Sequence, residues 1–269
     1  MNRRLGLLAA PLVAALFAAC TDTTGRLSLA LSSVRPASSA ASASFAGATG
    51  APGAPAVVTA GDSTLIILGN DTVIVRSAQL VLREIELKRV AAAACDDIEG
   101  NDDCEEFETG ATLVTLPLGS TATETMISVD APPGMYDELE FEVHKPEAPE
   151  DAAFIAANPS FDGVSIRVTG TFSQAGTRSD FTFTSDLNAK QEVLLPVPLT
   201  VSEGQQANVT LRVDIASWFL NAAGSALVDP ASANKGQANE NVVRDRIQAS
   251  IDAFRDDDHD GHDDEGIDH

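Results

Sequence analysis

The chain has 269 residues, 44% of them hydrophobic but only 5% aromatic, so it has room for one large domain or two small ones. Any core must be built from Val, Leu, Ile, Ala and Phe, because Trp and Tyr occur once each. The formal net charge of −23 would repel a phosphate backbone or an anionic lipid surface, which excludes nucleic acid as a partner and leaves divalent cations and basic partners open.

The first segment sets the compartment. Arg3 and Arg4 form a positive start, Leu5 to Phe17 an apolar stretch, and Ala18-Ala19-Cys20 a junction of small residues before a cysteine. The apolar stretch falls short of the roughly 20 residues a membrane-spanning helix needs. It reads as a signal peptide over residues 1–19. The junction resembles the lipobox of bacterial lipoproteins, which implies acylation of Cys20, anchorage to a membrane, and export to the outer membrane or cell surface. Phe17 stands where that family prefers Leu, and ordinary cleavage after Ala19 is the alternative.

Residues 20–61 are expected to hold the anchor, a short alternating strand at Arg26–Ser32, and a linker. The linker is rich in Ala, Ser, Gly and Pro from about Ser33 to Ala56, with few large apolar groups to offset the entropy of ordering. From Asp62 the texture changes to short apolar runs between turn residues. Ser63–Leu68 and Thr72–Arg76 flank Gly69-Asn70-Asp71, a hairpin signal. Ala78, Leu80 and Leu82 then alternate, but the apolar phase switches to Ile85 and Leu87 across Arg83-Glu84, as at a β-bulge.

Cys95 and Cys104 bracket a turn-rich acidic loop. Two cysteines left over in an oxidising compartment are expected to form one disulfide, worth about 2–3 kcal/mol for so short a loop. Further strands are expected at Thr112–Leu116, Glu124–Val129, Tyr136–Val143, Gly163–Phe172, Asp180–Thr184, Gln191–Leu199 and Ala207–Ile215. This spacing predicts an all-β fold, an antiparallel β-sandwich of about 8–9 strands over residues 62–220. Ser217–Leu220 is expected to form a single helical turn carrying Trp218. In the loop and helix of residues 221–255, Val243, Ile247, Ile251 and Phe254 recur at intervals of four, four and three, which predicts an amphipathic helix over Glu240–Phe254 capped by Asn239.

Two stretches carry a family likeness. Ser77-Ala78-Gln79-Leu80-Val81-Leu82-Arg83-Glu84-Ile85-Glu86-Leu87 and Ala131-Pro132-Pro133-Gly134-Met135-Tyr136-Asp137-Glu138-Leu139-Glu140-Phe141-Glu142-Val143 resemble uncharacterised β-sandwich domains of bacterial lipoproteins. The second stretch is also similar to transthyretin-like and carboxypeptidase-regulatory-like sandwiches. The resemblance covers Asp62 to about Ile215. It implies a fold and an envelope location but no reaction and no catalytic residue.

Chemistry is sparse in the sequence. No Gly-x-Ser-x-Gly elbow, phosphate loop, dinucleotide fingerprint or His-Glu-x-x-His motif occurs. His144, at a strand end before Pro146, reads as a surface histidine rather than a base. The acidic tail, residues 256–269, offers Asp256, Asp258, Asp260 and Asp264 at loop positions one, three, five and nine, with Gly261 at six. Alternate carboxylates around a Gly turn suit calcium, a hard cation taking six to eight oxygens. The segment resembles half an EF-hand or a thrombospondin type 3 repeat, although Ile267 occupies the position of the bidentate Glu. A solvated acidic run, or a site for a borderline metal at His259, His262 and His269, are the alternatives. The sequence thus points to a non-enzymatic, lipid-anchored envelope protein whose sandwich binds or supports, or else to a calcium-dependent surface module.

Overall fold

The computed structural model describes residues 24–33, 55–90, 104–107, 110–118 and 124–257. In chain order these form β1 (Gly25–Ser32), β2 (Ala56–Ala60), β3 (Ser63–Leu68), β4 (Asp71–Arg89), β5 (Cys104–Phe107) and β6 (Thr112–Thr115). There follow β7 (Glu124–Ala131), β8 (Gly134–Val143), α1 (Ala152–Ala157), β9 (Ile166–Gln174) and β10 (Thr177–Ser185). The chain closes with β11 (Ala189–Val201), β12 (Gln206–Val213), α2 (Ile215–Trp218), α3 (Glu240–Gln248) and β13 (Ile251–Arg255).

The fold is all-β, with two sheets. The smaller has the order β13-β12-β1-β7, and the larger gathers nine strands around β4. All neighbours run antiparallel except β1 and β12, which pair in parallel with Leu27 opposite Ala207 and Leu31 opposite Leu211. A parallel pair needs a crossover, supplied here by everything between the two strands.

Strand β4 is the spine. Its apolar residues follow one phase at Val73 and Val75, another at Ala78, Leu80 and Leu82, and return to the first at Ile85 and Leu87; all are buried. Each switch coincides with a break in register, first between Val75 and Ser77 against β9, then between Arg83 and Glu86 against β8. The bulge expected at Arg83-Glu84 is therefore present, and Glu84 has a positive φ of 50°. Thr72–Arg76 and the run from Ala78 to Leu87 belong to one strand of 19 residues, whose first half lies between β3 and β9 and whose second half lies between β6, β5 and β8. The change of partner falls at Val81: its N–H donates to Ser165 O, and its carbonyl accepts from His144 N–H.

Leu27, Leu29 and Leu31 of β1 meet the buried side chains of β4, β8 and β12 in one apolar core. The strand expected at Arg26–Ser32, ahead of the linker, is thus an inner strand of the smaller sheet. The folded domain therefore takes in Gly25–Ser32 and Ala56–Ala60 ahead of residue 62, and in β1 three Leu residues spaced by two bury a full strand face.

A second difference lies near the C-terminus. The helix expected over Glu240–Phe254 stops at Gln248, burying Val243 and Ile247, and Ile251–Arg255 forms β13 against β12. Ala253 faces the core, and Phe254 lies on the opposite face under the Arg212 guanidinium, 5.1 Å from the ring centroid. Ile251 and Phe254 fit a helical spacing, but pairing with Val213 and Thr210 satisfies backbone groups of an otherwise open edge. Trp218 is fully buried between α2 and α3 and donates its indole N–H to Ser250 Oγ at 2.8 Å. Phe219 meets the rings of Phe181 and Phe183 edge-on, closing this end of the sandwich.

Candidate functional site

Strand alternation sends Leu139, Phe141 and Val143 of β8 into the core, and a break in register against β4 between Lys88 and Arg89 brings Tyr136 to the same side, which leaves Glu138, Glu140, Glu142 and His144 for the opposite face. The flanking strands set what each acid meets. Arg83 of β4 and Lys190 of β11 stand opposite Glu142, Glu86 and Glu192 stand opposite Glu140, and Lys88 and Leu194 stand opposite Glu138. The middle row therefore aligns three acids across three strands, a destabilising arrangement unless cations intervene.

Cations do intervene, from the rows on either side. Lys88 Nζ lies 2.9 Å from Glu138 and 3.0 Å from Glu140, and Lys190 Nζ also contacts Glu140. Glu140 is only 3% exposed, so these ammoniums are what permit its charge. Glu138, Glu140 and Glu192 bring carboxylate oxygens within 4.8 Å of one another, the donor set a hard cation would use. The two lysines already supply positive charge there, so the group reads as an ion-pair ladder.

The ladder continues into a clasp. His144, expected at the surface, is buried; its Nε2 lies 2.8 Å from Asp151 Oδ2 and its Nδ1 3.4 Å from Glu142 Oε2. The reason is the loop from Lys145 to Ser165, which folds back so that Asp151 meets the ring. Asp151 also accepts the Glu147 N–H at 2.9 Å. Burial works against the Asp151 charge, but that N–H, the hydrogen bond and charge of His144 and the charge of Arg83 outweigh it and hold the carboxyl below its ordinary value. Burial likewise opposes the charge of Arg83, yet its hydrogen bond to Glu150 at 2.5 Å and the charges of Glu84, Glu142 and Glu150 raise its pKa. Both ring nitrogens of His144 thus face carboxylates, and the arrangement holds a loop on a sheet.

Of the residues singled out in the sequence, Asp256 is fully buried and its Oδ2 accepts the Thr210 hydroxyl at 2.7 Å. It belongs to the folded domain, so the tail boundary moves past it. Asp258, Asp260, Asp264 and the tail histidines lie outside the described residues, as do Cys20 and Cys95. Cys104 stands at the register position opposite Lys88. The charged face was not anticipated, although Glu138-x-Glu140-x-Glu142-x-His144 on an expected strand carries the signal for it.

Among the described residues no helix is long and apolar enough to cross a membrane. No family model and no curated protein sequence matches the chain. Among solved structures, MbnP from Methylosinus trichosporium is similar over 86% of this chain and 98% of its own, at 13% identity and a TM-score of 0.33. So distant a likeness carries no argument about function.

Proposed function

We propose that the chain is an exported, lipid-anchored protein of a bacterial cell envelope, and that its sandwich serves as a non-catalytic binding or structural module. The observation behind the anchor is how few residues separate Cys20 from the first described strand. β1 begins at Gly25, five positions after Cys20, and sits inside a sheet. Cleavage before Cys20 would leave every described strand intact and put the acylated residue five positions ahead of β1 in the chain. In this reading Cys95 and Cys104 close the acidic loop between β4 and β5. The non-catalytic part is supported by His144, whose nitrogens are directed at Glu142 and Asp151 and not at a nucleophile.

The test is fractionation of cells expressing the full chain. Cys20→Ser should move the protein from the membrane to the soluble envelope fraction. If the variant stays with membranes as wild type does, the anchor lies elsewhere and the reading fails.

A further inference from the structure

Resting on the anchor at Cys20, we propose that one pole of the sandwich lies against a zwitterionic lipid surface, with Val90 and Met135 as its contact. The argument begins with chain length. Thr21 to Thr24 separate Cys20 from Gly25, so the two Cα atoms can be at most about 17 Å apart. The headgroup layer alone takes up roughly 6 Å on each side of a bilayer. Whatever surrounds Gly25 is therefore held close to the membrane.

The sheet registers say what surrounds it. Gly25 pairs with Ala131 at the end of β7, and Arg26 with Gln206 at the start of β12. Ala131 leads through Pro132 and Pro133 to Gly134, which pairs with Val201 at the end of β11. Arg89, at the end of β4, pairs with Tyr136. Four of the described large hydrophobic residues are exposed, and two of them meet at this pole: Met135 at 53% and Val90 at 39%, joined by the hydrogen bond from Val90 N–H to Met135 O at 3.0 Å. The third and fourth, Leu194 and Val57, lie on β11 and β2.

Charge agrees with this placement. In a chain of net charge −23, Arg26 at this pole pairs with Asp130 and Arg255 with Asp257, while the Arg89 guanidinium lies over the Tyr136 ring. So strong a net negative charge disfavours an anionic surface and selects a zwitterionic one. Two apolar side chains are too little to bind a bilayer alone; they orient a domain already held there. β4 then runs away from the membrane for up to roughly 60 Å. It carries the β3–β4 and β9–β10 hairpins to the far end.

The experiment uses the full-length acylated chain, purified from bacterial membranes and reconstituted in phosphatidylcholine vesicles with bromine on the acyl chains. Parent emission comes from Trp218, which is fully buried near α3. Met135→Trp and Val90→Trp each add a fluorophore at the pole, and Ser179→Trp adds one on β10 as a control. Bromine should remove at least half of the added emission in the two pole variants and leave the control and the parent unchanged. If the protein floats with the vesicles but the pole variants are quenched no more than the control, the orientation is wrong while the anchor stands. If the acylated chain does not float at all, the anchor reading falls and this inference falls with it.

Discussion

From Glu138 onward, strand β8 covers its two faces by different means. Inward, Leu139, Phe141 and Val143 are at most 1% exposed in a close-packed apolar core. Outward, Glu140 and His144 reach 3% and 5% exposure under a cover of lysines, an arginine and a folded-back loop. The apolar face is stabilised by every neighbour it touches and tolerates a change of partner of similar volume. The ionic face is stabilised only while specific partners stay in place, because removing one leaves a buried charge uncompensated. The first face accounts for stability, the second for which strand and which loop lie beside β8.

The comparison is broken most severely on the apolar side. Phe141→Ala would leave a cavity beside Leu80, Leu82 and Val213, where the two sheets already meet around a small apolar void. The expected cost is about 3–5 kcal/mol, seen in denaturant unfolding as a lower midpoint with an unchanged slope. A loss below about 1 kcal/mol would mean that this contact between the sheets is loose.

On the ionic side, Lys88→Met keeps the aliphatic stem but strips one ammonium from Glu138 and Glu140. Lys190 remains on Glu140, so the expected loss is about 2 kcal/mol, below the range for a wholly orphaned buried charge. Adding Glu140→Gln should restore part of that loss, because the burden lies in the uncompensated carboxylate. Two strictly additive losses in the double variant would show that Lys88 acts through packing alone.

The same contrast explains what could be read from the sequence. Alternation of apolar residues located most strands, and the phase switch at Arg83-Glu84 located a bulge. Apolar patterning does not name partners, however. The pairing of β1 with β12 joins Leu29 to Val209 across most of the chain, and nothing local to either strand marks it. Ile251 and Phe254 were ambiguous for a related reason: residues three apart suit a helix face, while on a strand they fall on opposite faces, which only the neighbouring β12 reveals. His144 looked exposed because its cover, Asp151, arrives by a loop whose path is set by tertiary contacts. Paired cysteines and an acidic tail stand out in a sequence more than an ion-pair ladder, whose members are ordinary Glu and Lys residues spread over three strands.

The smallest effect concerns the clasp, and pH sharpens it. Asp151 has a folded-state pKa below its ordinary value, so the carboxylate contributes stability that is fully present above about pH 4 and is lost as pH falls through the folded value. Asp151→Asn removes the charge but keeps an oxygen that can accept the Glu147 N–H. The variant should therefore lose about 1 kcal/mol at pH 7, the worth of one charge-assisted hydrogen bond over a neutral one. As the wild-type carboxylate becomes protonated the two proteins should converge, since each then presents a neutral group to His144 and Arg83. Thermal unfolding followed by circular dichroism at pH 7 and at about pH 3 reads the difference before it begins to close and after, since pH 3 lies below the ordinary carboxylate value. A difference between variant and wild type that is the same at the two pH values would mean that Asp151 acts through shape, and that its charge does not hold the loop against β8.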